Sequence, residues 1–295
     1  MCLLFTADIH LRDDTPKCRT DDFLSAQWDK IEQVKALCKK HDAVWIDAGD
    51  LLHKSRPSLG LLSQAICNLK MDRPIRTVPG NHDQPYHNMN KMAESGLGVL
   101  EAAGVIKYLY QDVPWQCLDW TIYSCAYGED IPVPEDGTHN VLVYHGMVFQ
   151  NKYEMLPGVS GDTAKGLLKK AKGYDVIVTG HNHQAFDIRV GDRMLINVGC
   201  LTRQSADFMD YTPQIVLLYN NGKVTRIPLS CKKNVVSRQH LEAAEKKEEE
   251  MNAFVEGLKD VEQASLSFEA NVDIVLNKMD ATKLVREKVK EAMYE

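Results

Sequence analysis

The sequence contains no run of eighteen uninterrupted apolar residues, so it offers no candidate membrane-spanning helix. Its opening, MCLLFTADIHL, meets Asp8 too soon to build the apolar heart of a signal peptide, and the chain reads as cytoplasmic. It also lacks any CxxC pair. The eight cysteines (Cys2, Cys18, Cys38, Cys67, Cys117, Cys125, Cys200 and Cys231) are scattered, which points to neither a zinc knuckle nor a disulfide framework. A surplus of positive charge is missing as well. With 35 Lys and Arg against 41 Asp and Glu, the net charge of −6 opposes loose, charge-driven binding along nucleic acid, so any such role must rest on a local site. No internal repeat is visible. What remains is an ordinary soluble composition, 44% hydrophobic and 26% charged over 295 residues, enough for one large domain with an appendage.

Short apolar runs alternate with segments of helical period. CLLFTA (2–7), AVWIDA (43–48), IRTVP (75–79), TIYSCAY (121–127), VLVYH (141–145) and DVIVTG (175–180) read as strands. Between them, 21–41 carries Leu24, Trp28, Ile31 and Cys38 at helical spacing, and further helices are expected near 58–70, 88–103 and 161–172. From Phe186 to Leu229 the pattern turns β-rich, with hairpins at Gly191-Asp192 and Asn221-Gly222. The class is α/β, and two sheets packed face to face fit better than one open sheet. Beyond residue 231 the composition becomes charge-rich and helical, giving a division into 1–231 and a 232–295 extension. Its pieces 238–261 and 272–293 place Met251, Phe254, Val261, Val272, Val275, Leu284, Val285 and Val289 at roughly helical spacing. They either fold back on the core or dock a partner.

Five predicted strands share one feature: at each exit stand oxygen or imidazole groups. The segments are ADIH (Asp8, His10), DAGDLLH (Asp50, His53), VPGNHD (Asn81, His82, Asp83), VYHG (His145) and TGHNH (His181, His183). His41, His87, His139 and His240 fall outside this pattern. Side chains two apart on an extended backbone point the same way, so Asp8 with His10, and His181 with His183, are expected to reach toward one point. Loops at the carboxyl ends of strands are where α/β folds place ligands. These carboxylates, amide and imidazoles exceed what one ion needs and suit two divalent metals sharing a carboxylate. Their mixed N/O character fits manganese, iron or zinc. Two such metals about 3.5–4 Å apart are the arrangement used to clamp the attacking and leaving oxygens at phosphorus, so phosphoester hydrolysis is implied.

The order D-x-H, GD, GNHD, H, G-H-x-H resembles the calcineurin-like metallophosphoesterase superfamily over about residues 1–229. GDLLH, the G-H-N-H ending and NVGCLTRQSADFMDYTPQIVLL resemble its SbcD-type DNA-repair nuclease branch. That resemblance implies a two-layer β-sandwich flanked by helices. It implies a first metal on Asp8, His10, Asp50 and His183 and a second on Asp50, Asn81, His145 and His181, with manganese usual in the branch. The cations would acidify a water that attacks phosphorus, His82 would face the leaving oxygen with Asp83 orienting it, and His53 would position DNA. The implied activity is a DNA exo- or endonuclease, with a phosphatase or phosphodiesterase for small nucleotides or phosphoproteins as the alternative. The implied partners are DNA, an SMC-like coiled-coil ATPase gripped by C-terminal helices, and a second copy in a homodimer. Here only a short helical extension follows the resembling region, where relatives carry a separate cap.

Overall fold

The computed structural model describes residues 1–135, 139–155, 158–259 and 267–293. The first half of the chain lays down β1 (Cys2–Thr6), α1 (Phe23–His41), β2 (Ala43–Asp47), α2 (Leu59–Asn68), β3 (Ile75–Thr77), α3 (Gly96–Ala102) and β4 (Ile106–Tyr108). After these come β5 (Trp115–Cys117), β6 (Trp120–Cys125), β7 (His139–His145), the short β8 (Val148–Phe149) and β9 (Asp162–Thr163), α4 (Ala164–Lys170), β10 (Val176–Gly180), β11 (Phe186–Val190) and β12 (Arg193–Asn197). Two more strands, β13 (Gln214–Tyr219) and β14 (Val224–Pro228), return to the first sheet.

The strands form two six-stranded sheets, ordered β14-β13-β1-β2-β3-β4 and β11-β12-β10-β7-β6-β5. In the first, β1, β2, β3 and β4 run parallel, with β13 antiparallel to β1 and β14 antiparallel to β13 at one side. In the second, β6, β7, β10 and β12 run parallel between antiparallel edges β5 and β11. Parallel strands end on the same side, so the exits of β1, β2 and β3 are neighbours, as are those of β7 and β10. Register tightens this: Thr6 pairs with Asp47 and Asp47 with Thr77, while His145 sits opposite Gly180.

Strands buried on both faces read as continuous apolar runs, and the core explains why. Leu3, Phe5, Ile46 and Val78 face Ile122, Val141, Val143 and Val178 between the sheets. The alternate residues Cys2, Leu4 and Trp45 pack instead with Ile31, Val34, Leu61 and Leu97 on the outer helices. Leu142, Ile177 and Leu195 of the second sheet pack with Leu167 and Leu168 of α4. The period of two thus divides each strand between two cores.

Local side-chain chemistry sets the helix boundaries. Asp22 caps α1 by accepting from Ser25 N, and Ser58 caps α2 by accepting from Leu61 N. The long helix expected near 88–103 is not formed. A tight turn over Pro85–His87, left-handed at Tyr86 and His87, and a 3₁₀ turn at Met89–Glu94 come first, and only then α3. Asn88 and Ser95 break it. Both hold extended backbone and cap the next turn of chain, accepting from Asn90 N and Gly98 N, so their side chains outcompete continuation of the helix.

Contacts divide the chain into Met1–Val236 and Ser237–Glu295. The second unit contains α5 (Gln239–Lys259), α6 (Phe268–Lys278) and α7 (Lys283–Met293). The piece expected over 272–293 is therefore two helices, parted where Asp280 adopts a left-handed φ of 48°. The Arg286 guanidinium spans that break, donating to Leu276 O and Ala281 O, each at 2.9 Å. Val261 and the end of the 238–261 piece lie outside the described residues.

Candidate metal centre

All ten residues singled out by motif stand at the same side of the sandwich. Asp8 and His10 follow β1, Asp50 and His53 follow β2, Asn81, His82 and Asp83 follow β3, His145 ends β7, and His181 and His183 follow β10. They do not converge by the alternation of an extended strand, however. Asp8 (φ 50°), His10 (φ 47°), Asp50 (φ 57°) and His181 (φ 79°) all have left-handed backbones, past the ends of their strands. Such conformations cost about 1–3 kcal/mol each outside glycine and persist where the surroundings over-determine them. Here the loops lock one another. Asp8 N donates to Gly49 O (3.0 Å), His10 N to Asp50 O (2.8 Å), and His181 N to both carboxylate oxygens of Asp8 (2.9 and 3.0 Å).

Three groups among the described residues could hold a cation, one of them His10, His53 and His82. Donor atoms of Asp8, His10 and His183 lie within 4.8 Å of one another, as do those of Asp50, His145 and His181. Asp50 stands between them: its Oδ2 is 3.6 Å from His10 Nε2 and 3.3 Å from His145 Nε2. Asn81 Oδ1 is 3.3 Å from His145 Nε2, and the Nε2 atoms of His10 and His183 face each other at 3.1 Å. The donor set fits divalent cations. His145 Nδ1 donates to Ala48 O (2.7 Å), which turns Nε2 toward Asp50 and Asn81, the arrangement that orients an imidazole ligand.

Burial raises the Asp8 carboxyl, and the charges facing it are imidazoles and Asp50. Burial also works against ionised Asp50, but His145, His10 and His82 outweigh it and hold that carboxyl low. Burial keeps the His10 imidazole well below its ordinary value and brings His181 down to about 4, so both are neutral as ligands must be. For His145 burial acts in the same direction, but the facing Asp50 carboxylate reverses it and raises the ring to about 10. Two buried carboxylates flanked by imidazoles suit a cation.

The surrounding side chains have separate tasks. His82 N donates to Asp50 Oδ1 (2.8 Å), and its ring Nδ1 donates to His53 O (2.8 Å). His53 stacks on His82 with centroids 5.3 Å apart, and burial brings it down to about 4 with Arg12 adding to the effect. Asp83 was expected to orient His82. Its carboxylate instead accepts backbone N–H groups from Asp50 (2.9 Å), Gly80 (3.0 Å) and Leu52 (3.0 Å), so it ties the β2 loop to the β3 loop, and the His53 carbonyl holds His82. Burial, with Asp50 nearby, raises Asp83 to about 7.

Motif reasoning missed the layer beneath. Trp45 Nε1 donates to Thr6 Oγ1 and Thr6 Oγ1 to Asp47 Oδ1, both at 2.7 Å, while Asp47 Oδ2 accepts from Gly49 N at 3.2 Å. Asn197 accepts from Thr179 Oγ1 (2.7 Å) and donates to Asn182 O (2.6 Å), clamping the His181–His183 loop. Gln204 Nε2 donates to Ile9 O (3.2 Å) and secures the Asp8–His10 loop. A polar residue inside an apolar run, as in WIDAG and LINVG, was the available signal. Two glycines are dictated by closeness: a Cβ on Gly80 would collide with the Asp50 carboxylate, and one on Gly49 (φ 101°) with the His145 ring.

Comparison with known proteins places this geometry. The double-strand break repair protein MRE11 of Encephalitozoon cuniculi is 24% identical over 260 residues, covering 70% of this chain and 42% of that protein. The chain thus spans less than half the length of that relative. Among solved structures, a novel archaeal phosphodiesterase is 18% identical with a TM-score of 0.43, covering 78% of this chain and all of that one. A 5′-nucleotidase described from Staphylococcus aureus is 15% identical with a TM-score of 0.43, covering 83% and 58%. The family description that matches is calcineurin-like phosphoesterase, over residues 1–185, which include every candidate ligand, and the chain belongs to that family.

Proposed function

We propose that the protein is a two-metal phosphodiesterase that cleaves DNA, a manganese-dependent nuclease. Asp8, His10, Asp50 and His183 would hold one cation and Asp50, Asn81, His145 and His181 the other. Bound there, the pair supplies charge neutralisation at the phosphate oxygens and a water acidic enough to act near neutral pH. The single observation that carries the reading is the position of Asp50 Oδ2, within 3.6 Å of His10 Nε2 and 3.3 Å of His145 Nε2.

The remaining work belongs to the chain. His82 commits Nδ1–H to the His53 carbonyl, so Nε2 is the atom free to carry a further proton and deliver it to the leaving oxygen. Asp83 keeps the Asp50 and Gly80 loops together and so preserves the spacing of the ligands. His53, half-exposed beside His82, borders the approach of the substrate phosphate. The MRE11 likeness and the GDLLH spacing support DNA as substrate.

The net charge of −6 favours a second reading, a phosphodiesterase for small nucleotides. Incubating the full chain with manganese and, separately, labelled single-stranded DNA, duplex DNA with free ends, and bis(p-nitrophenyl) phosphate distinguishes them. Cleavage of DNA is expected. Turnover of the small ester alone would establish the second reading. Two assemblies extend the proposal: a coiled-coil ATPase on the C-terminal helices, where Met251, Val255 and Leu284 are exposed, and a homodimer through α2 and α3, where Leu59 and Val99 are exposed. A cytoplasmic setting completes it. Among the described residues no helix is long and apolar enough to cross a membrane.

A further inference from the structure

A file of aromatic rings leads outward from the ligands. His181 lies edge-on to His145 with centroids 5.1 Å apart, Tyr127 tilts over His181 at 5.6 Å, and His87 tilts over Tyr127 at 5.7 Å. Neither Tyr127 nor His87 belongs to the ligand groups. Beside His87 stands Tyr86, 77% exposed, with the Arg56 guanidinium 5.7 Å from its ring centroid. Leaving a tyrosine ring this open forgoes burial of one of the largest apolar surfaces a residue can offer.

The backbone holds these rings in an unfavourable conformation. Tyr86 and His87 are consecutive left-handed residues, at φ 55° and 51°, and neither is the Asn, Asp or Gly that a tight turn prefers. Strain of about 1–3 kcal/mol per residue is retained at ligand clamps more often than elsewhere. The segment is also anchored rather than loose. Pro85 is buried, Gln84 Nε2 donates to Tyr127 O (2.9 Å), and Tyr127 N donates to Pro79 O (3.2 Å), fixing both ring-bearing loops to the exit of β3. Anchored rings beside the candidate metal centre, with Tyr86 and His87 exposed, match the flat faces of nucleobases, which stack on aromatic side chains without regard to sequence.

We infer that Tyr127, His87 and Tyr86 form a shelf on which the base of a nucleoside phosphodiester stacks while its phosphate occupies the metal centre. This rests on the proposed phosphodiesterase reading and assigns the nucleoside as the recognised half of the substrate. Recognition through base faces would let a chain of net negative charge bind a nucleotide.

The test uses the full chain and its Tyr86→Ala, His87→Ala and Tyr86→Phe variants, with melting curves confirming that each is folded. Binding of thymidine 5′-monophosphate to metal-free protein is followed by saturation-transfer NMR on the base protons. With manganese, the ratio of kcat/KM for the p-nitrophenyl ester of thymidine 5′-monophosphate to that for bis(p-nitrophenyl) phosphate is measured. Each alanine variant is expected to weaken nucleotide binding and lower that ratio by about tenfold, while Tyr86→Phe retains both. Unchanged affinity and an unchanged ratio in both alanine variants would overturn the shelf. If the wild type hydrolysed neither ester yet bound the nucleotide through Tyr86 and His87, the shelf would stand and the phosphodiesterase reading would fall.

Discussion

At the scale of single residues, the centre depends on atoms that cannot be exchanged for close relatives. Gly80 is the clearest case. Gly80→Ala would drive a methyl group into the Asp50 carboxylate, which must then leave its place between His10 and His145. Manganese affinity measured by calorimetry is expected to fall by about 10–100-fold, the range that loss of ligand orientation costs. His82 is the complementary case: its backbone N–H meets Asp50, but its ring points to the His53 carbonyl. His82→Gln is expected to keep metal uptake intact and lower kcat by about 10²–10⁴, the loss caused by removal of a proton donor. The candidate residues at this scale stand out in the sequence because oxygen and imidazole groups recur at strand exits by type and spacing. Their backbone was not. The left-handed φ of Asp8, His10, Asp50 and His181 arises from hydrogen bonds between loops far apart in sequence, which a local period cannot report. The role of Asp83 escaped for the same reason, since its partners are backbone amides of Asp50, Gly80 and Leu52.

At the scale of elements, the strands were readable wherever both faces are buried, because both cores demand apolar side chains and leave an uninterrupted run. Short strands such as β4 and β5 left no such run. Over 88–103, Met89, Met92, Leu97 and Leu100 lie at roughly helical spacing, yet Asn88 and Ser95 divert the backbone and confine the α-helix to Gly96–Ala102. Ser95 is the stronger of the two. It is buried, accepts from Gly98 N (2.9 Å) and donates to Met92 O (2.7 Å). Ser95→Ala removes both bonds, and the expected cost is about 1–2 kcal/mol, read as a drop in urea midpoint at unchanged m-value. A polar layer supports the ligand loops from beneath, with Asp47 joining β1 and β2 through Thr6 and Asn197 joining β10 and β12 through Thr179. Sequence alone hid this layer, because its partners sit on neighbouring strands.

For the whole molecule, the proposed metal binding and folding are linked equilibria. The site is assembled from five strand exits in two sheets, so the unfolded chain cannot hold its geometry and a bound cation stabilises only the folded state. Manganese at about 100 times its dissociation constant should add about 2.7 kcal/mol for one site, seen as a rise in Tm that a chelator reverses. The two-sheet architecture and the convergence of its loops were accessible from sequence because parallel strands end together. The relation of the helices beyond Val236 to any partner was not, since exposed apolar residues on a charged helix fit several surroundings equally well.

Two cations sharing Asp50, as proposed, can be counted. Metal analysis of the full chain after equilibration with manganese and removal of excess should give two ions per chain, and fewer than two in Asp50→Ala. Absence of bound metal in the wild type, or an unchanged count of two in the variant, would contradict the account.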